Sequence, residues 1–373
     1  MLSREELKEI ARLEGNGTYY VSLYLNVNPV TNPGGEHIIR LKNMLKDSAE
    51  SLDKAVLKKV KDDLSAIEAH VLGNKREFKK GLSILSSSGN SFWREYNVSV
   101  PLRSELIVDK TPHIKPLLDI LDNYKRYAAL LLDKESARIF IVHLGEITEY
   151  GEVHTPDVPG RHKKGGWFAL SQNHYARHVN YHVGLHLKDV VEKLDSFLKG
   201  EVVSRVIVGG SEAAVVMIKG LLPKTVSDRI IGFFQAGMFE SNTDILKKVE
   251  PVLASFEKKS EQETVGELIT RAEKNERAVL GIGNVLNAVQ GGKVMKLLFV
   301  RDFGLQGYSC KSCGTVSTTR LKECPYCKGR MEDVNYLVDL VAQKAVEQGA
   351  VIEVVDEASE LSKAGGIGAI LRF

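Results

Sequence analysis

The sequence has few cysteines and none of the apolar segments that carry a chain into or across a membrane. Four cysteines among 373 residues are too few for a disulfide scaffold, and all four lie between positions 310 and 327. The opening segment MLSREELKEIARLEG has the pattern of a charged amphipathic helix without a signal core, and no run of about 18 apolar residues occurs. Secretion and membrane spanning are therefore excluded, and we expect a cytoplasmic protein whose clustered cysteines bind a metal.

The sequence also lacks a charge excess and the motifs of a self-contained enzyme. Its 51 Lys and Arg nearly balance its 48 Asp and Glu, so only local clustering of charge can indicate a nucleic-acid partner. Gly281-Ile-Gly283 lacks the third glycine of a dinucleotide fingerprint, and neither a Walker A sequence nor a nucleophile motif occurs. A conventional enzyme with its own pocket is consequently the weakest interpretation.

Length and element patterns predict three α/β-type domains, because about 100–200 residues form one domain. Residues 1–123 combine a strand pattern at 19–27 with two helices between 37 and 72, which indicates an α+β domain. From 124 to 260 strands alternate with helices, and this favours a largely parallel sheet. Residues 261–373 alternate in the same way.

Hydrophobic periodicity assigns individual elements to the second and third domains. The polar stretch at 257–263 is expected to link these two domains. Strands are predicted at 126–133, 137–144, 204–209, 277–281, 293–300, 350–355 and 367–373, and helices at 171–199, 211–220, 261–275, 283–290 and 333–348.

The four cysteines form two CxxC pairs separated by ten residues. Cys310 with Cys313 and Cys324 with Cys327 can supply the four thiolates of a tetrahedral zinc shell. Since protein sulfurs would fill every position, no site remains for a catalytic water, and we expect one structural zinc ion in an insert at about 308–330. A redox-active dithiol pair is the competing interpretation. The basic residues Lys311, Arg320, Lys322, Lys328 and Arg330 surround the pairs.

Residues 161–188 contain five Lys or Arg, five His and no acidic residue. In a chain that is otherwise close to charge balance, an anionic partner is expected to bind here. Gly165-Gly166 would let the loop tip enter a narrow space, and Trp167 offers a flat face for stacking on a nucleobase. The alternative is a solvated basic loop whose Trp packs on its own domain. The predicted RNA-binding residues are Arg161, His162, Lys163, Lys164, Arg177, His178 and His182.

Histidines recur every four residues after this loop, at 174, 178, 182 and 186. On a helix they form one stripe that drifts by about 40° per step. Neighbouring pairs could bind a metal, although the HExxH pattern is absent. The other two interpretations are a polar face along RNA phosphates and an ordinary solvated or inter-domain face.

These residues resemble a known family. Gly-Arg-His-Lys-Lys-Gly-Gly-Trp, the following Ser-Gln and the histidine-striped helix are similar to the central-domain loop of the archaeo-eukaryotic class-one release-factor superfamily, above all its bacterial branch. Val142–Gly151, the four cysteines and the closing Gly365–Phe373 also fit, so the resemblance extends from about 110 to the end. It implies a ribonuclease-H-like central domain and a C-terminal domain of the kink-turn-binding ribosomal protein type with a zinc-ribbon insert.

The resemblance implies a ribosomal A-site factor, with rRNA and peptidyl-tRNA as partners and a translational GTPase as a candidate for delivery. Release factors carry Gly-Gly-Gln in this loop and promote hydrolysis of peptidyl-tRNA. Here Gly165 and Gly166 match the glycines, Trp167 stands at the Gln position, and Gln172 is a candidate replacement side chain. The Trp167 backbone N–H could still stabilise an oxyanion.

Stop-codon reading is not expected, because the family's Asn-Ile-Lys-Ser loop is absent before residue 124. Three functions remain open at this point. The chain could rescue stalled ribosomes by releasing the nascent peptide. It could occupy the ribosome without catalysis, in hibernation or stall sensing. It could also bind RNA away from the ribosome through its cysteine-bearing domain.

Overall fold

The computed structural model describes residues 2–13, 17–74, 77–154, 169–201, 203, 205–356 and 359–373, and at 154 and 169–180 it describes the backbone alone. These residues divide into two compact units. Residues 1–123 and 260–373 together form the first unit, and residues 124–259 form the second. The division into three domains stays a prediction.

The N-terminal part of the first unit is a four-stranded antiparallel sheet with order β3-β2-β1-β4. Val21, Leu23 and Leu25 alternate along β1 toward a core that also holds apolar residues of α2 and α3. The elements are α1 (Arg4–Ala11), β1 (Tyr20–Asn26), α2 (Glu36–Ser51), α3 (Lys54–Gly73), β2 (Gly81–Ser87), a 3₁₀ turn (Ser88–Asn90), β3 (Phe92–Val98), β4 (Glu105–Asp109) and α4 (Lys115–Asn123).

The second unit is built on a five-stranded sheet with order β7-β6-β5-β8-β9. The central strand β5 buries all six of its residues, and its alternate side chains enter two cores, one on each face. The elements are β5 (Tyr127–Leu132), β6 (Ser136–His143), β7 (Glu146–His154), α5 (Ala169–Gly200), β8 (Arg205–Gly210), α6 (Glu212–Lys219), α7 (Lys224–Ser227), β9 (Ile230–Phe234) and α8 (Asn242–Glu273), which continues past the unit boundary.

The C-terminal part of the first unit contains two sheets. The larger has the order β10-β16-β11-β15, and only its β11–β15 pair is parallel. The smaller, β13-β12-β14, carries the cysteines. The elements are β10 (Ala278–Leu280), α9 (Ile282–Gln290), β11 (Val294–Val300), β12 (Gly307–Cys310), β13 (Val316–Ser317), β14 (Met331–Val334), α10 (Leu337–Glu347), β15 (Val351–Val355), α11 (Glu360–Lys363) and β16 (Ile367–Leu371).

The α/β class with several sheets is confirmed, but the expected largely parallel central sheet is wrong. Strand β8 pairs in parallel with β5 and β9, whereas β5–β6 and β6–β7 are antiparallel. Short hairpins impose this geometry. Asp133 accepts hydrogen bonds from the backbone N–H groups of Glu135 and Ser136 at 2.8 and 2.7 Å, which closes the first turn. The second turn has Leu144 and Gly145 at positive φ.

Two further predictions differ from the structure. The polar stretch at 257–263 is part of the continuous helix α8, because it consists almost entirely of strong helix formers and contains neither Gly nor Pro. The helix predicted at 333–348 begins only at Leu337, since Met331–Val334 pairs with β12 as strand β14. That pairing joins residues 21 to 27 positions apart, so it leaves no local periodicity in the sequence.

Candidate nucleic-acid interface and metal centre

The predicted loop residues lie largely outside the described residues. This holds for Arg161, His162, Lys163, Lys164, Gly165, Gly166 and Trp167. The preceding element is β7, which ends at His154, and the following element is α5, which begins at Ala169. Gln172, Arg177 and His178 belong to α5, but their side chains are outside the described set. Their proposed roles therefore stay predictions.

The described part of α5 resolves two members of the histidine stripe. His182 is half-buried, and its ring meets that of the exposed Tyr181 edge-on at 5.7 Å. His186 is completely buried at a helix position next to Leu187, which belongs to the core. Because four-residue steps overshoot one turn, the stripe rotates between the half-buried His182 and the buried His186. His186 is consequently not part of a solvent-facing surface.

Helix α5 is anchored firmly at its C-terminal half. Val183, Leu187 and Leu194 pack into the same core as alternate residues of β5. The Phe197 ring meets the Tyr150 ring of β7 edge-on at 4.5 Å, so the helix is held against the edge strand as well. Near the helix end, Arg126 and Glu201 form an ion pair at 2.8 Å. Helix α5, which begins two residues after Trp167, is therefore held rigidly at its C-terminal half.

The four cysteines come together as their spacing predicts. The Sγ atoms of Cys310, Cys313, Cys324 and Cys327 all lie within 4.8 Å of one another. Cys310 and Cys327 have their Sγ atoms 3.3 Å apart, and those of Cys313 and Cys324 are 3.5 Å apart. Within the part of the chain that the structure describes, this is the one group of three or more suitable side chains arranged to hold a metal ion.

Two similar turns bring the sulfurs together. Gly314 N–H donates to the Cys310 carbonyl at 2.8 Å, and Lys328 N–H donates to the Cys324 carbonyl at 3.0 Å. Both turns need a residue at positive φ, which is Gly314 in the first and Lys328 in the second. The first turn favours glycine because the φ of Gly314 is +68°, a conformation that L side chains rarely adopt. Each CxxC pair is thus held by its own backbone.

The cluster fits a four-thiolate zinc site. Tetrahedral zinc with Zn–S bonds of about 2.3 Å requires sulfurs about 3.8 Å apart, which agrees with the observed spread. The Thr315 hydroxyl lies 3.1 Å from the Cys313 Sγ and lowers the pKa of that thiol to about 6, which favours the thiolate that a metal binds. No disulfide competes, since all four cysteines are free.

A buried group of ionisable residues in the first unit was not predicted. The two ring nitrogens of His113 lie 3.7 Å from Asp339 Oδ2 and 3.9 Å from Glu105 Oε1, and Lys115 Nζ lies 3.8 Å from Asp339 Oδ1. Burial lowers the pKa of His113 to about 3 and raises the pKa of Asp339 to about 6. No sequence signal joins positions more than 220 residues apart.

Comparison with known proteins identifies the class of the central unit. Residues 112–254 match the model of bacterial archaeo-eukaryotic release factor family 10, and this stretch contains the whole acid-free segment. This match supports the resemblance of the chain to the bacterial branch of the archaeo-eukaryotic release factor superfamily. No curated protein matches the chain.

Several solved structures are similar at low identity. The archaeal translation termination factor aRF1 is 19% identical, with 100% of this chain and 98% of that chain covered and a TM-score of 0.28. Dom34 of S. cerevisiae, described as interacting with Hbs1, is 12% identical over 79% of this chain and 83% of that chain, with a TM-score of 0.40. A model of ribosome-bound archaeal Pelota and ABCE1 is 14% identical over 100% and 94%, with a TM-score of 0.42.

None of the described helices combines the length and the apolar character that a bilayer-spanning segment needs.

Proposed function

We propose that this protein is a ribosome-associated translation factor of the release-factor type, which acts in the cytoplasm and rescues stalled complexes without reading a stop codon. The observation that carries the proposal is the family match over residues 112–254, which includes all of residues 161–188. A segment with ten basic or histidine side chains and no carboxylate suits a site lined by RNA phosphates. Its partners would be rRNA and peptidyl-tRNA.

In this proposal the loop is the reacting element and α5 is its support. Water would attack the ester carbonyl of peptidyl-tRNA, which frees the peptide and leaves a hydroxyl on the tRNA. Gly165 and Gly166 would let the backbone approach, the Trp167 N–H would donate to the oxyanion, and Gln172 would orient the water. Contacts to RNA are assigned to Arg161, His162, Lys163, Lys164, Arg177, His178 and His182. The buried half of α5 supports the rigidity that such positioning requires.

Trp167 favours a second candidate function. An indole in place of the glutamine side chain of release factors adds bulk where the water would lie and removes an amide. This single substitution supports a non-catalytic role. The protein would then occupy the same ribosomal site without hydrolysis, in hibernation or in sensing a stalled state. An RNA-binding role away from the ribosome is a further alternative, and binding to ribosomes separates it from the first two.

The remaining parts of the proposal concern architecture and partners. We assign one structural zinc ion to Cys310, Cys313, Cys324 and Cys327, within a zinc-ribbon insert at about 308–330. The central domain would be ribonuclease-H-like, and the C-terminal domain would be of the kink-turn-binding ribosomal protein type. A translational GTPase is the proposed delivery partner. The resemblance to the superfamily and the cysteine cluster support these assignments.

The test is release of labelled peptide from purified stalled ribosome–peptidyl-tRNA complexes, with Gly166→Ala as the inactive control. Release that the control abolishes supports the hydrolase, whereas a bound protein that releases nothing supports the non-catalytic role. Ribosome co-sedimentation of Lys163→Glu with Lys164→Glu examines placement of the loop, and we expect at least a tenfold loss of affinity. The control is Lys258→Glu with Lys274→Glu, two exposed lysines of similar charge outside the loop. Equal affinity of the two double variants would contradict the placement.

A further inference from the structure

The cysteine-bearing insert presents a second basic surface, which the loop at 161–188 does not include. The segment between positions 318 and 330 contains four cations and one carboxylate, that of Glu323. All four cations are exposed, and none forms an ion pair with any residue that the structure describes. We call these four cations together with Tyr326 the insert tip. The cations are Arg320, Lys322, Lys328 and Arg330.

Tyr326 stands at the apex of the second CxxC turn with 69% of its surface exposed. Its ring contacts no other aromatic ring and no cation among the described residues. The turn that carries it is nevertheless rigid. Pro325 fixes one backbone dihedral, the Lys328 N–H donates to the Cys324 carbonyl at 3.0 Å, and the Cys324 N–H donates to the Gly329 carbonyl at 2.9 Å. The tip therefore presents an exposed aromatic side chain on a backbone that is held in place.

Three of the four cations lie within or beside the turn that carries Tyr326. Glu323 and Arg330 form an antiparallel bridge, so Lys322 and Arg330 lie on neighbouring strands at the base of the turn. Lys328 is two residues from Tyr326 within the turn itself. The nearby Lys311 is engaged elsewhere, since its Nζ lies 3.6 Å from the Glu332 carboxylate. Lys322, Lys328 and Arg330 therefore lie within four residues of Tyr326 along the chain, and none of them forms an ion pair among the described residues.

We infer that the insert tip binds an unpaired RNA strand, with Tyr326 stacked on a base and the four cations along the phosphates. Stacking on an exposed ring is available to every base, while cations track the backbone charge. An acidic protein would use the cations but not the ring. The ring has only Leu321, 37% exposed, as an apolar neighbour in the tip and so forms no apolar patch. The choice of RNA over DNA rests on the proposed function. The inference that the insert tip binds a single strand does not depend on it.

The test uses the full chain and a fluorescent oligouridylate of about 12 nucleotides, which exceeds the site size of one stacking module. All variants are made in the Lys163→Glu, Lys164→Glu background, so that the proposed loop contact does not contribute. We expect Tyr326→Ala and Tyr326→Leu to weaken binding by about 5- to 150-fold and Tyr326→Phe to retain it. Phe373→Ala, which removes another aromatic side chain that is 69% exposed, is the matched control and leaves affinity unchanged.

Salt dependence examines the cations separately. Lys322→Glu with Lys328→Glu is expected to lower the slope of log affinity against log salt by about 1–2 between about 50 and 200 mM salt. The control, Lys258→Glu on α8 with Lys274→Glu directly after that helix, leaves the slope unchanged. Zinc content and circular dichroism confirm the fold of each variant. Because Tyr326→Leu keeps apolar bulk at the apex, it tests stacking even where Tyr326→Ala does not fold.

Several results would overturn the inference. Among these are equal affinities of the Phe and Leu variants, duplex RNA bound as tightly as the single strand, and polyglutamate of matched length competing as well as RNA. DNA of the same length bound more tightly than RNA would overturn the choice of RNA. A chain that binds the oligonucleotide through the tip but does not sediment with ribosomes would refute the proposed function and leave this inference standing.

Discussion

Asp339 illustrates how a single buried residue sets a pH dependence in this protein. It lies in the first turn of α10, and its side chain is 14% exposed. Burial raises its pKa from 3.8 to about 6, although the Lys115 ammonium opposes this shift. Between about pH 4 and 6 the folded state keeps a proton that the unfolded state has released, so the free energy of unfolding falls as the pH rises through this window.

We predict that Asp339→Asn raises the free energy of unfolding by about 1–2 kcal/mol at pH 7.5, because it removes a buried charge whose burial cost the Lys115 ammonium at 3.8 Å offsets only in part. The difference should vanish below about pH 4, where the native carboxyl is protonated. His113 acts in the opposite direction, since its lowered pKa destabilises the fold on acidification below about 6.5. The variant should therefore lose stability more steeply on acidification than the native chain. Urea unfolding at a series of pH values measures this, and parallel pH profiles would contradict the assignment.

At the scale of elements, the cysteine-bearing insert has too little apolar core to fold by burial alone. Its sheet consists of strands of four, two and four residues, and only Cys310, Val316, Cys324 and Gly307 are buried in the range 307–334. A metal bound by four thiolates would supply the missing stabilisation, because the site does not exist in the unfolded chain.

We predict one zinc ion per chain, detectable by elemental analysis of protein purified without chelator. Cys313→Ser should lower the zinc content to near zero and increase hydrogen exchange across residues 307–334, with Ser312→Ala as the neighbouring control. Chelator should have the same effect on the native chain. Native protein without zinc, or exchange in the insert that chelator leaves unchanged, would contradict the assignment.

At the scale of the whole molecule, the two ends of the chain form one compact unit. The buried Gln343 of α10 donates a hydrogen bond to the Ala11 carbonyl at the end of α1. Asp122 of α4 accepts a hydrogen bond from the Val354 N–H of β15 at 3.1 Å, which is another buried contact between the two parts. Arg103–Asp302 and Lys110–Glu332 pair the same parts at the surface.

We predict that Gln343→Ala destabilises this unit by about 1–3 kcal/mol, because it leaves a buried carbonyl without its donor. Peptide-level hydrogen exchange should rise in α1, more than 330 residues away in sequence, while β5 in the second unit keeps its protection. Tyr326→Phe at the exposed insert tip is the control and changes neither region. Unchanged exchange in α1 would show that this contact does not stabilise the unit.

Much of this architecture follows from local sequence patterns. The CxxC spacing predicted the cysteine cluster, the apolar run at 127–132 predicted a buried strand, and the four-residue spacing of the histidines placed them on a helix. Each pattern reports contacts within a few residues, such as a helical turn, a strand's alternation or a tight turn. The resemblance at residues 161–178 likewise depended on consecutive residues.

Other features were decided by tertiary structure alone. The burial of His186 and the pairing of β14 with β12 depend on what each element packs against. The meeting of His113 and Asp339 depends on the pairing of distant segments. Local hydrogen bonding and periodicity select the elements, but the burial of apolar faces against distant partners selects their neighbours. For this reason the sequence determined most of the elements and the clustering of the four cysteines, whereas only the tertiary structure decided which charges are buried together.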